Sequence, residues 1–130
     1  MLRKALCCCR SCSIEMDGEP SINAICHCDN CRRRTGSAYG WSVYFDEANL
    51  RSKAGDLIEY ALVGKAGGKQ SRWFCARCGT TLLWTIEARP GQLGFAAGCF
   101  VDPLPEPSIS ASHDKRLDWV PTAEHWRAFS

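Results

Sequence analysis

Ten cysteines in a chain of 130 residues constrain this sequence more than any other feature. Two outcomes are open to so many thiols in a small chain. A secreted domain cross-links them as disulfides, and an even number suits that use. In a reducing compartment, clustered thiols persist as metal ligands instead. Spacing separates the two. Cys7 and Cys9, Cys26 and Cys28, Cys28 and Cys31, and Cys75 and Cys78 lie two or three positions apart. Such near neighbours rarely bridge without strain, because a disulfide fixes the distance and relative orientation of its two Cα atoms. The stretch Met1–Leu6 carries positive charge but leads into no apolar run of the kind an export signal needs. The expectation is a cytoplasmic protein with metal-bound thiols.

Length and charge narrow the class. A chain of 130 residues suits one domain over positions 1–130, with its core over about residues 5–129. Apolar residues make up 45% and charged ones 23%, the mix of a soluble globular protein. A net charge of +2 gives no large basic field, so no nucleic-acid partner is expected. No apolar run approaches the roughly 18 residues of a membrane span. Neither composition nor charge speaks to the oligomeric state.

Short alternating stretches dominate the chain. Ser13–Met16 ends at the turn pair Asp17-Gly18, and Ile22–Ile25 leads into Cys26. Tyr39–Phe45, Leu57–Tyr60 and Thr81–Ile86 are rich in strand formers. Arg89-Pro90-Gly91 reads as a turn before Gln92–Ala96, Gly64–Lys69 as a glycine-rich loop, and Pro103, Pro105 and Pro107 as an extended connector into Ile109–Ala111. Asp29 can cap a short helix through Arg34 that stops at Gly36. Asp46–Leu50 allows one further turn. About seven short strands with little helix make a mainly β fold of short antiparallel strands. Trp119, Trp126 and Phe129 are expected to seal its core.

The most specific element is Cys75-Ala76-Arg77-Cys78-Gly79, the pattern of a zinc knuckle. Its tight turn aims both sulfurs at one point, with Gly79 free to adopt positive φ. Structural zinc takes four ligands, and Cys7 and Cys9, on one face of an extended segment, supply the other two. Cys26-His27-Cys28-Asp29-Asn30-Cys31 offers three more sulfurs within six residues. Seven sulfurs divide as four and three, and a three-ligand zinc keeps a position open to water or substrate. A fourth ligand such as His113 or His125 would close that site and make it structural too. His27 is the weaker candidate, because alternation turns it away from the face shared by Cys26 and Cys28.

These motifs, together with Asp17–Pro20, Arg32–Ala38, Phe74–Leu82 and Asp102-Pro103, resemble the glutathione-dependent formaldehyde-activating enzyme family, whose domain centromere protein V also carries. The resemblance runs from about Cys7 to about Phe129. It implies a β-tent fold with two zinc ions, a structural one on Cys7, Cys9, Cys75 and Cys78 and a catalytic one on Cys26, Cys28 and Cys31. It also implies condensation of formaldehyde with glutathione, a carbon–sulfur lyase reaction. The chain departs from the family pattern at Arg10, where glycine is usual. Cys8, Cys12 and Cys99 are extra thiols, read as small buried apolar residues.

The implied partners are a small aldehyde and a glutathione-like thiol. Arg32, Arg33 and Arg34 follow Cys31, and Arg32 and Arg33 are the candidates for holding the thiol's carboxylates. The same run also reads as the solvated last turn of a helix, and helical spacing cannot send all three toward the metal. Tyr39, Trp41 and Trp84 read as core aromatics that could also wall a pocket. Two other function classes stand beside the lyase: a non-catalytic thiol- or zinc-binding protein, and an interaction module with two structural zincs.

Overall fold

The computed structural model describes residues 1–64 and 67–130. Its strands in chain order are β1 (Leu2–Leu6), β2 (Ser13–Asp17), β3 (Ile22–Cys26), β4 (Gly40–Asp46), β5 (Leu50–Ala54) and β6 (Leu57–Val63), then β7 (Lys69–Cys75), β8 (Thr81–Ile86), β9 (Gln92–Ala96), β10 (Ile109–Ala111) and β11 (Arg127–Ala128). The one α-helix among the described residues, α1, spans Asp29–Thr35. The mainly β expectation holds. Of the expected loop Gly64–Lys69, Lys65 and Ala66 lie outside the described residues. Among the described residues, no helix is long and apolar enough to cross a membrane.

The strands form two sheets. β1, β2 and β5 make a three-stranded antiparallel sheet, and an eight-stranded sheet runs β11-β10-β3-β4-β9-β8-β7-β6. All neighbours in the larger sheet are antiparallel except β10, which runs parallel to both β3 and β11. Alternation along β4 gives the sheet its two faces. Val43 and Phe45 join a core with Ala5, Ile14 and Met16 of the smaller sheet and with Leu82 and Phe95 of the larger. Phe45, Phe95 and Phe100 pack there with ring centroids 5.4–5.8 Å apart. Ser42 and Tyr44, on the opposite face of β4, line a cavity instead.

Three sequence expectations need correction. Asp29 does not cap α1: Cys28 does, its sulfur accepting from the Cys31 N–H, while Gly36 ends the helix at φ +66° as expected. The C-terminal aromatics do not seal the core. Trp119 is 73% exposed and Phe129 lines the cavity. Of the extra thiols, only Cys12 is fully buried, whereas Cys8 is exposed. The strands β1, β5, β7 and β11 were not among those expected.

Candidate metal centres and the adjoining cavity

All ten cysteines are free thiols, and seven of them gather in two clusters. In the first, the sulfurs of Cys7, Cys9, Cys75 and Cys78 lie within 4.8 Å of one another. Two tight turns bring them there. After β7, the Arg77 and Cys78 N–H groups both point at the Cys75 sulfur, at 3.3 and 3.4 Å, and Gly79 takes φ +79°. After β1, the Cys12 N–H donates to the Cys7 sulfur at 3.3 Å. That turn passes through Arg10 at φ +68°, a left-handed conformation that glycine adopts without strain and arginine does not. The position at which the resemblance implies glycine is thus the one of this turn with positive φ.

Hydroxyls complete the first cluster. Ser11 Oγ lies 3.0 Å from the Cys9 sulfur and 3.3 Å from that of Cys75, and Thr80 Oγ1 lies 3.1 Å from that of Cys78. The Ser11 hydroxyl, then the N–H groups of the turn, draw the Cys75 thiol down to about 5. Thr80 draws Cys78 to about 7. The knuckle after β7 thus favours thiolates at Cys75 and Cys78.

The second cluster joins Cys26 at the end of β3, Cys28 at the helix cap and Cys31 in the first turn of α1, again within 4.8 Å. Hydrogen bonds from the Cys26 and Cys31 thiols hold Cys28 down to about 2. The same contacts push Cys26 and Cys31 upward, because a second or third charge beside the first is repelled. Three thiolates this close need a cation between them, and an all-sulfur donor set suits a soft or borderline ion such as zinc. Both clusters therefore fit a metal ion in their donor chemistry.

Among the described residues, no histidine or carboxylate joins the second cluster. His125 faces Glu106 at 3.4 Å. His113 Nδ1 and His27 Nε2 both meet Ser110 Oγ, at 2.8 and 2.9 Å. His27 is fully buried behind the Cys26–Cys28 segment, and burial holds its imidazole below the ordinary value. It packs with Ser110 rather than with the sulfurs, as the alternation of β3 dictates.

The second cluster opens into a cavity of about 490 Å³, to which Cys26, Cys28 and Cys31 all contribute. Arg34, Arg72 and Arg89 line it as well, and Arg32 and Arg33 do not. Helix geometry explains the substitution: Arg34 stands three residues after Cys31 and shares its face, while the two preceding arginines rotate away. Arg34 lies over the Trp84 ring at 4.2 Å, and its Nη2 is buried without a hydrogen-bond partner among the described residues. It fits because Gly40 has no side chain, since a Cβ there would stand 2.7 Å from that nitrogen. Trp84 in turn donates to Tyr44 Oη at 3.0 Å, over which Arg89 sits. Arg72 donates to Asn30 Oδ1 at 2.5 Å, tying β7 to α1. Of the aromatics considered in the sequence, Trp84 lines the cavity, whereas Trp41 and Tyr39 do not. Arg72 and Arg89 lie far from the cysteine motif in sequence, and no spacing rule connects them to it.

Comparison with known proteins places this arrangement. No curated protein matches the chain. A solved structure of a Rhodobacter sphaeroides protein, a structural genomics target, shares the fold: TM-score 0.61 at 24% identity, over 78% of this chain and 91% of that one. The family model for the glutathione-dependent formaldehyde-activating enzyme matches residues 2–126, nearly the full chain, with both cysteine clusters inside the match. The chain belongs to the glutathione-dependent formaldehyde-activating enzyme family.

Proposed function

We propose that this protein is a zinc-dependent carbon–sulfur lyase that joins an aldehyde to a thiol acid such as glutathione. In this reading Cys26, Cys28 and Cys31 hold a catalytic zinc, and Cys7, Cys9, Cys75 and Cys78 hold a structural one. The observation that carries it is the contrast between the clusters. Four sulfurs meet in the first, whereas three meet in the second, and the second is the one that opens on a cavity. Zinc held by these three cysteines would supply the Lewis-acid chemistry that keeps an incoming thiol ionised at neutral pH.

The chain's own residues account for the rest. Arg34, Arg72 and Arg89 present guanidinium groups in the cavity, suited to the carboxylates of an acidic thiol. Arg34 stands on the helix face of Cys31, where its charge offsets the excess negative charge of a site with four thiolates. Trp84 and Tyr44 hold Arg34 and Arg89 in place through their ring faces. A reducing cytoplasm is the compartment in which seven clustered thiols stay available, and one domain comprising the whole chain suffices for the activity.

The test is loss of free formaldehyde in the presence of glutathione, with zinc content measured alongside. Wild-type protein should carry two zinc ions and accelerate the loss. Cys31→Ala should stay folded, keep one zinc and lose the acceleration. A Cys31→Ala protein as active as wild type would refute the assignment.

A further inference from the structure

The cavity beside the three-sulfur cluster has two unlike walls. One is cationic, formed by Arg34 of α1, Arg72 of β7 and Arg89 of the turn after β8, and among the described residues no carboxylate lines the cavity. The other is apolar. β3 sends Ile22, Ala24 and Cys26 to the same side, and the parallel register of β10 sets Ile109 beside Ala24 and Ala111 beside Cys26. At about 3.3 Å per residue, the strand from Cys26 to Ile22 forms the base of a trough about 13 Å long that begins at the sulfurs. Phe129, from the far end of the chain, also lines the cavity.

The two walls sort the two reactants. The carboxylates of a thiol acid are matched by the guanidinium wall and would lose their solvation uncompensated on the apolar one. That leaves the trough to the aldehyde. A one-carbon aldehyde covers almost none of it. The geometry points to aldehydes bearing a branched aliphatic or aromatic substituent as substrates of this site, with the substituent lying along Ala24, Ile22 and Ile109. This rests on the thiol–aldehyde reading given above. The bond change is the same for any such aldehyde: the sulfur lone pair forms the carbon–sulfur bond, the carbonyl π pair moves to oxygen, and oxygen takes the proton that the thiol released. The product is a hemithioacetal, and no oxidant or reductant is consumed.

Thioethers of glutathione test the trough without turnover, because they place a stable carbon substituent where the aldehyde carbon would stand. Calorimetric affinities of the zinc-loaded protein are compared for S-methyl-, S-butyl- and S-benzylglutathione. Each buried methylene raises affinity about fourfold, so the butyl compound, with three more methylenes, should bind up to about sixtyfold more tightly than the methyl one. Ala24→Leu, which fills the trough, should bring that ratio toward one, and Ile109→Ala should weaken the butyl compound more than the methyl one. Equal affinity of wild-type protein for all three compounds, with glutathione still bound, would overturn the inference and leave the thiol reading standing. Absence of binding by all three and by glutathione would overturn both.

Discussion

A single methyl group at Gly94 tests the cavity wall directly. β9 passes beneath Trp84 at this position, in register with Tyr44 on one side and Trp84 on the other. A Cβ on Gly94 would stand 2.2 Å from Trp84 Nε1, 2.7 Å from Cδ1 and 2.8 Å from Cε2. No rotamer adjustment of a few tenths of an ångström relieves three such contacts, so in Gly94→Ala the indole must leave its place. It is 7% exposed, donates to Tyr44 Oη and carries Arg34 on its face. Losing the hydrogen bond costs about 1 kcal/mol. The cation–π contact is worth about 1 kcal/mol, and overpacking adds about 1–3 kcal/mol. Alanine returns about 0.5–1 kcal/mol through its lower backbone entropy in the unfolded chain. The net expectation is a loss of about 2–4 kcal/mol, read from urea unfolding of the zinc-loaded protein by circular dichroism. In a Trp84→Leu background the clashing atoms are gone, and Gly94→Ala should then be neutral or stabilise by up to about 1 kcal/mol. An equal cost in both backgrounds, or a loss below about 0.5 kcal/mol in the first, would refute the reasoning.

Arg10→Gly should stabilise the protein by about 0.5 kcal/mol, since relief of a left-handed side chain outweighs the added chain entropy; a lower midpoint in thermal unfolding would contradict the strain argument. Cys75→Ser should abolish stable folding, whereas Cys31→Ala should not, because only the four-sulfur cluster joins segments far apart in sequence; a well-folded, fully metallated Cys75→Ser protein would show that the cluster is misassigned. Burial pushes the Cys12 and Cys99 thiols up to about 11. Between pH 9 and 11 the unfolded chain therefore releases these protons before the folded one, and stability should fall as pH rises through that window. The double variant Cys12→Ala, Cys99→Ala should flatten the fall, and an unchanged slope in urea titrations would remove these thiols as its cause.

Most strands that the sequence discloses have one buried face; β6 is disclosed by its strand-forming residues although none of its residues is buried. β2, β3, β8, β9 and β10 appear at or near their expected places because apolar residues there alternate or run together toward a core. β5 is missed for a physical reason: all five of its residues are exposed, so no period exists to read, and it is a strand because β2 pairs with it. β1 hides differently. It buries Arg3, whose guanidinium meets both oxygens of Glu19 at 2.7 and 2.8 Å, and a buried arginine breaks the pattern that alternation looks for. The cysteine clusters were legible because metal ligation needs fixed residue types at short spacing. The cationic wall was not, since Arg72 and Arg89 reach the cavity through sheet topology. Trp119 shows the converse error: a large aromatic residue near the end of a chain carries no instruction about which way it faces.

Bringing Cys9 to Cys75 closes a loop across 66 positions, half the chain. The entropy of holding two such points together in an unfolded chain is about 4 kcal/mol, comparable to a long-range disulfide. The loop encloses β2 through β7, so its closure fixes the smaller sheet's β2 and β5 and four strands of the larger one in a common neighbourhood before any of their long-range pairings has formed. Closure by diffusion alone is slow for contacts of this separation. A chain whose four thiolates a metal ion gathers early would start much closer to the native topology than one without the ion. Refolding rate, as well as final stability, is where the first cluster should be felt.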